Sequence, residues 1–459
     1  MRASSRLLRV LGQRTQSLDE QYLSAISSCI PGYTRALAIQ NVSVIEQPSC
    51  SSHIRRFATE HVKDAPHYST GKQVYDRLRD VPREGIATLQ DTVSYKDTWH
   101  AGTDVQGAMD GKVLGLYVDL PQQTITEALP ETYHHPDLTK AKIRQYNYGC
   151  TGALEEFAAS GKRMCMYRES MDMVMQTILG STVGSRLDVM LDGWTGSGKS
   201  VSLYSLVAAA RQTGWVVMYL PSASLLVRGG MFKKKDEDDS QWYTPLAAGH
   251  ILQSFSDSHS EKVLQKLPSR DGTSTLWDMC AKALETSDDF AKVDMAVNVL
   301  QGLLHADGTD GIRTLVVVDD YNYLYHQTEY FETVHRFHRR RIDPSELVLA
   351  SAWRLLEGDR TSGIVAAAAS YSKPISPKIP IPMVSSSTTI RVPRFTMEEV
   401  STMASMLVSQ NKVPHLPPDA SLKRALALTN GNAKELRENR ATLFSFDNGL
   451  EHSVPPSYA

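Results

Sequence analysis

Apolar residues follow two rhythms along this chain. Short continuous runs have the length of buried strands: Leu187 to Leu191 interrupted by Asp188, Trp215 to Leu220, Thr314 to Val318 and Gly363 to Ala369; Thr388 to Val392 adds a further, more polar strand. Between them apolar positions recur every three or four residues. Leu203, Leu206, Val207 and Ala210 follow the first run, Leu246 to Leu267 and Leu276 to Leu304 follow the second, and Ser345 to Leu356 follows the third. Gly214, Pro221 and Gly272 punctuate these stretches, and Thr286-Ser287-Asp288-Asp289 supplies an N-cap cluster. Strand alternating with helix predicts an α/β domain whose parallel sheet carries helices on both faces.

The flanks read differently. Leu154, Phe157, Met164, Met166, Met171, Val174, Met175, Ile178 and Leu179 recur at helical spacings, which predicts two helices leading into the sheet, with methionines as core filling. Beyond Pro393 the pattern is helical. Thr396-Met397-Glu398-Glu399 has the form of a capping box ahead of Val400, Met403, Met406 and Leu407. Leu422 to Leu428, a turn at Asn430-Gly431-Asn432, and Ala433 to Leu443 complete a small helical lid. From 58 to 150 the chain is polar and turn-rich: Val74-Tyr75 and Leu78 suggest a short helix, and Val113 to Val118 an isolated strand broken by Asp119-Leu120-Pro121. That stretch lacks the apolar density for a core of its own and is expected to pack on other surfaces.

Composition adds a compartment. In a chain of 459 residues, 41% hydrophobic and 22% charged, no apolar run approaches bilayer-spanning length, which argues against membrane insertion. Residues 1–57 hold seven arginines, no lysine, many serines and only three carboxylates, the composition of a mitochondrial transit peptide with Arg55-Arg56-Phe57-Ala58 as its processing site; a basic tail is the plainer alternative. Removing it takes the formal charge from −2 to about −6, so the mature chain is no bulk nucleic-acid binder and any RNA contact is local. Cys29, Cys50, Cys150, Cys165 and Cys280 form neither a disulfide framework nor a metal knuckle, as suits a reducing compartment such as the mitochondrial matrix.

The chemistry concentrates after the first run, in Asp192-Gly193-Trp194-Thr195-Gly196-Ser197-Gly198-Lys199-Ser200-Val201. Glycines at 193, 196 and 198 let the backbone curl so that successive N–H groups face a polyphosphate. Lys199 reaches its β and γ phosphates, the Ser200 hydroxyl ligates Mg²⁺, and the helix beginning near Lys199 adds its positive end. Strand, loop and helix in this order predict a P-loop NTPase domain over residues 151–392; with a helical lid over 393–459 and an irregular N-terminal extension, the expected build is AAA+/STAND-like. The second element is Thr314 to Val318 followed by Asp319-Asp320. A carboxylate at the C-terminal end of a buried strand lies beside the phosphate loop, so Asp319 is assigned to the Mg²⁺ water shell. Asp320 is the catalytic candidate for orienting a water, but it is shorter than the usual glutamate, and hydrolysis is expected to be slow or absent.

Most other polar clusters have two readings. His335-Arg336-Phe337-His338-Arg339-Arg340-Arg341 either touches RNA phosphates or is a solvated helix end. His134-His135 invites a metal reading but has no third ligand at suitable spacing and reads better as a surface pair; of Lys434, Arg437 and Arg440 either one acts on a nucleotide or all form a solvated face; and Lys233-Lys234-Lys235 before Asp236-Glu237-Asp238-Asp239 reads as a solvated loop. Ser370 either senses phosphate or caps its strand.

Taken together, Gly193 to Ser200, Val318-Asp319-Asp320-Tyr321-Asn322-Tyr323-Leu324, Asp343-Pro344-Ser345-Glu346-Leu347 and Leu428-Thr429-Asn430-Gly431-Asn432-Ala433 resemble the death-associated protein three family over about Met166 to Leu443. The resemblance implies a P-loop GTP-binding protein of the mitochondrial ribosome's small subunit, in its head near the intersubunit face. Its partners would be small-subunit proteins and rRNA. Phosphate contacts are carried over to Gly196, Gly198, Lys199 and Ser200, and Mg²⁺ to Ser200 and Asp319. The chain lacks the Asn/Thr-Lys-x-Asp element of ordinary GTPases, so GTP or GDP is implied by the family while ATP stays open. The alternative is an AAA+/STAND-type ATPase of the matrix.

Overall fold

The computed structural model describes residues 99–120, 125, 127, 163–228, 230–236, 240–335, 338–358, 360–370, 380–413 and 415–444. All belong to one compact unit, Gln90–Ala459. The expected transit segment, the short helix near Val74, His134-His135, the first of the two helices before the sheet, Phe337, Cys29, Cys50 and Cys150 lie outside the described residues.

In chain order the described elements begin with β1 (His100–Asp104), α1 (Val105–Gly111), β2 (Leu116–Asp119), β3 (Met164–Tyr167), α2 (Glu169–Leu179), β4 (Arg186–Asp192), α3 (Lys199–Gln212), β5 (Val216–Leu220) and α4 (Ser224–Val227). A short ladder of β6 (Lys233–Lys234) and β7 (Trp242–Tyr243) precedes α5 (Pro245–Asp257), α6 (Glu261–Leu264), α7 (Leu276–Glu285) and α8 (Asp289–His305). Then come β8 (Thr314–Val318), β9 (Phe331–His335), β10 (His338–Arg341), α9 (Val348–Ala352), β11 (Gly363–Ala368) and β12 (Thr388–Arg391). The C-terminal helices are α10 (Met397–Ser409), α11 (Asp419–Thr429), α12 (Ala433–Glu438) and α13 (Arg440–Phe444).

The central sheet has five strands in the order β12-β4-β11-β8-β5, every pair parallel. Strand period two sorts its side chains. Met218, Val316, Val318, Val365 and Ala367 pack under α5, α7 and α8. Val217, Val317, Ile364, Ala366, Val189 and Leu191 pack under α2 and α3. Both faces of β4, β5, β8 and β11 are covered, which explains their near-continuous apolar runs, whereas on the edge strand β12 only Ile390 is buried and Thr388, Thr389 and Arg391 are exposed. Asp188 interrupts the first run because its buried carboxylate is paired by Arg186 at 2.7 Å and by Arg360. On the outer strand β5, Val217 turns away from β8; its N–H donates to His259 Nε2 at 3.0 Å and its carbonyl accepts from Arg211 at 3.0 Å.

Several expectations need correction. Met164 to Met166 belong to a strand, not a helix: their spacing of two puts Cys165 and Tyr167 into the sheet core and Met164 and Met166 into the lid core. The Val113–Val118 strand is not isolated. It starts at Leu116 and sits between β1, in parallel, and β3, antiparallel. Its partners are set by tertiary packing that no local period shows. The basic run at His335–Arg341 is no helix end; the aromatic and β-branched residues before it pair with it as a β9–β10 hairpin. Ser345–Leu356 gives only a 3₁₀ turn at Pro344–Glu346 and α9, because an Asp343/Glu346 capping box closes the first turn by itself. Nor is the Lys233–Lys235 run a free loop: Lys233 pairs with Asp289 at 2.5 Å and Lys234 with Glu332 at 2.6 Å. As expected, Asp288 caps α8, and Thr396 with Glu399 forms the capping box of α10. Among the described residues no helix is long and apolar enough to cross a membrane.

Candidate functional site

β4 delivers the chain to a turn at the C-terminal edge of the sheet, and α3 starts at Lys199 directly beneath it. Gly198 takes a φ of 104° as the N-cap of α3, a left-handed conformation that any Cβ strains. At Gly196, with φ 78°, an added Cβ would come within 2.1 Å of Asn432 Oδ1 and 2.9 Å of Lys434 Cβ, so the lid turn lies against the loop itself. Gly193 lies against the Val392 carbonyl. Lys199 is buried and donates to the carbonyls of Gly193 at 2.7 Å and Trp194 at 2.9 Å, which holds its ammonium over the loop. Trp194 is exposed, with the Arg394 guanidinium 4.8 Å from its ring centroid. Thr195 and Ser200 are half-buried, and Val201 packs toward the sheet core. The Ser197 hydroxyl is buried without a hydrogen-bond partner.

β8 ends one strand further along the sheet beyond β11, so Asp319 and Asp320 come out beside the loop. Both are buried. Burial and the adjacent Asp320 carboxylate push the Asp319 carboxyl above its ordinary range, against the Ser200 hydroxyl, the Asp320 N–H and the Lys199 charge. One Asp319 oxygen accepts from the Asp320 N–H at 2.8 Å; the other is buried with no partner. An orphaned, desolvated carboxylate oxygen facing a loop serine and lysine fits a site for a divalent cation and phosphate. Asp320 sits at φ 55°, a left-handed position that aspartate tolerates, and accepts from Ser222 at 2.5 Å. Burial raises its carboxyl too, opposed by hydrogen bonds from Ser222 and Ser370. Asn322 fixes this end of the sheet: its side chain accepts from the Ser370 N–H and donates to the Ser370 carbonyl, each at 2.7 Å. Ser370 is thus tied to the strand end and to Asp320.

The lid supplies the opposite wall, and its key residue escapes sequence reading. Arg168, the residue that opens α2, donates to Glu399 at 2.6 and 3.0 Å, to the Ser197 carbonyl at 2.8 Å and to the Arg394 carbonyl at 3.1 Å. Its guanidinium lies 4.7 Å from the Phe395 ring centroid. One buried cation therefore joins the phosphate loop to the first turn of α10. No signal in the sequence singles out this arginine; of the pair only Glu399 carries one, as the capping-box residue of α10. Beside it a cavity of about 120 Å³ opens between loop and lid, lined by Tyr117, Met164, Met166, Gly198, Val201, Phe395 and Arg437 among others. The Lys434 ammonium lies 3.8 Å from Glu438, one turn on in α12.

A parallel sheet with a strand inserted between the phosphate-loop strand and the acidic strand, capped by a helical lid, defines a P-loop NTPase fold of AAA+/STAND type. Similar solved structures include the Walker-type ATPase of Pyrococcus abyssi, at 11% identity over 59% of this chain and 67% of that one, TM-score 0.31. A STAND protein with a tetratricopeptide repeat sensor from Pyrococcus horikoshii is 13% identical over 58% of this chain and 28% of its own, TM-score 0.27. The Drosophila ORC bound to DNA is 11% identical over 64% and 65%, TM-score 0.28. No curated protein matches the chain. The model of the mitochondrial ribosomal death-associated protein 3 family matches residues 165–439, and the chain belongs to that family of mitochondrial ribosomal small-subunit proteins. Ribosomal partners and a mitochondrial location follow from this membership.

Proposed function

We propose that this protein is a structural subunit of the head of the mitoribosomal small subunit, in the mitochondrial matrix, that holds a purine nucleotide with Mg²⁺ between its phosphate loop and its lid. The segment 1–57 acts as its transit peptide. The observation that carries the nucleotide reading is the convergence of Lys199, Ser200 and the unpartnered Asp319 oxygen at one end of a parallel sheet. Backbone N–H groups of Gly196 to Ser200 and the Lys199 ammonium would hold the phosphates, and Ser200 and Asp319 the Mg²⁺. The cavity beside Arg168 is where a base can enter, walled by methionine and aromatic side chains. The family resemblance favours GTP or GDP.

Bound Mg²⁺ would neutralise charge on the phosphates, and this chain's residues orient them. Lys199 brings a buried positive charge, and Arg168 fixes the Ser197 carbonyl so that the loop keeps its curl. Asp320 is committed to Ser222 and Ser370 and so serves to position the strand ends rather than a water. The nucleotide on this reading stabilises the fold instead of driving a cycle. Small subunits isolated by sedimentation should contain this chain and release about one purine nucleotide per copy on denaturation. Chromatography identifies its base and phosphate number. Particles that contain the chain but release no nucleotide would sink the proposal.

A further inference from the structure

The β9–β10 hairpin stands apart from the nucleotide site, and its two faces differ in charge. Phe331 pairs with Arg341, Glu332 with Arg340 and Thr333 with Arg339. Directly paired residues share a face, and faces alternate along each strand. One face therefore carries Glu332 and Arg340. Arg340 donates to Glu332 and to Glu346, each at 2.7 Å, and Lys234 donates to Glu332 at 2.6 Å. That face is neutralised by its own ion pairs, which fasten the hairpin to β6 and to the Pro344–Glu346 turn.

The other face carries Phe331, Thr333, Arg339 and Arg341, all exposed, with no carboxylate among them. Arg341 lies 4.9 Å from the Phe331 ring centroid and bonds the neutral Gln327 side chain. Arg339 has no ion-pair or hydrogen-bond partner among the described residues. Phe331 leaves 42% of its surface in solvent, and His335 and His338, paired with each other, stand exposed at the far end of the ladder.

We propose that this face is an RNA-binding surface: Arg339 and Arg341 hold the phosphodiester backbone of small-subunit rRNA, and the Phe331 ring stacks on an unpaired base. The proposal rests on the ribosomal reading above. Two arginines two positions apart on one strand are about 7 Å apart, close to the step between successive phosphates of an RNA strand. A guanidinium fork matches phosphate geometry, and an exposed aromatic among arginines is what a single-stranded base stacks on. An acidic protein segment would meet the same arginines but leave the ring without a stacking partner. The chain as a whole is formally −2, so this attraction is confined to the hairpin.

The test uses small subunits carrying either the wild-type chain or the Arg339→Ser/Arg341→Ser chain, irradiated with ultraviolet light and mapped for nucleotide adducts by mass spectrometry. A nucleotide adduct is expected on β9 or β10 of the wild type, falling about tenfold or more in the variant, with thermal unfolding and particle association kept. Particles in which other proteins carry adducts but this hairpin carries none overturn the proposal, as do hairpin cross-links to an acidic protein. Absence of the chain from small subunits overturns the ribosomal reading and this inference with it. With purified protein and a small-subunit rRNA transcript, the variant should lessen the slope of log affinity against log salt by about 1.5, and an unchanged slope overturns the contact.

Discussion

The two walls of the nucleotide site are built over very different lengths of chain. The core wall is local: β4, the turn from Gly193 to Gly198 and the first residues of α3 follow one another without a break. The lid wall is assembled at long range, since Arg168 and Glu399 are 231 residues apart and Asn432 reaches Gly196 from the far end of the described chain. A local wall can form as soon as strand and helix pack. The lid wall exists only after the whole domain has folded, and it is held by a few buried charged contacts rather than by a backbone motif.

Substituting Arg168 tests that contrast most severely. Arg168→Met leaves Glu399 buried without its cation, and breaking a buried pair of this kind costs about 3–5 kcal/mol. Chemical denaturation should show that loss, with faster hydrogen exchange in α10 than in β4. Adding Glu399→Gln should recover part of it. A loss below about 1 kcal/mol would mean the lid is held by its apolar cluster alone.

Lys199→Ala tests the local wall. At a concentration one hundred times Kd, Mg-nucleotide should stabilise the wild type by about 2.7 kcal/mol and the variant by almost nothing. Thermal unfolding with and without nucleotide reads this, and assembly into particles should weaken in parallel. An unchanged nucleotide-dependent shift would remove Lys199 from the site.

Asp319→Asn should act in the opposite direction without ligand. The folded Asp319 carboxyl titrates above its ordinary value of 3.8, so the folded state holds this proton more tightly than the unfolded one. Its ionisation costs stability as pH rises from the ordinary value through the raised one, and that cost is fully present above both. Free of Mg²⁺, the Asn variant should therefore be more stable than wild type at neutral pH by about 1–2 kcal/mol, and the gap should close in acid. Stabilisation by Mg-nucleotide should be lost in the variant, and in the wild type it should shrink as the pH falls from neutral, because protons compete with the metal. Equal apo stabilities at neutral pH would show that the carboxylate is relieved in some other way.

The same contrast explains what the sequence reveals. Strand runs such as Thr314–Val318 and the loop at Gly193 to Ser200 are legible because burial on both faces and the need for glycine at a curled backbone each leave a local mark. Two of the segments resembling the family are equally local in cause, since Asp343 and Glu346 cap a turn and Asn430 and Asn432 shape the lid turn, whereas Asn322 staples a strand end through Ser370, 48 residues further along the chain. Arg168 leaves no mark, because a lone arginine acquires meaning only from partners far along the chain. β1 and β3, and the pairing of β2 with both, leave no local mark for the same reason. Met164, Met166 and Met171 fit one helical spacing, although the first two face the lid and the third faces the sheet.

The outermost strand of the sheet has a further consequence. A strand with free N–H and carbonyl groups is a template on which another chain can add a strand. At Val217 both groups are already engaged, by His259 and Arg211, so the sheet is sealed there against growth. The seal depends on a neutral imidazole, since His259 accepts through Nε2, and burial followed by the Arg211 charge lowers its pKa to about 4. Acid strong enough to protonate that ring turns the acceptor into a donor facing a donor. The Val217 N–H then loses its acceptor while its carbonyl keeps Arg211, so acid opens one donor on an edge that is otherwise closed.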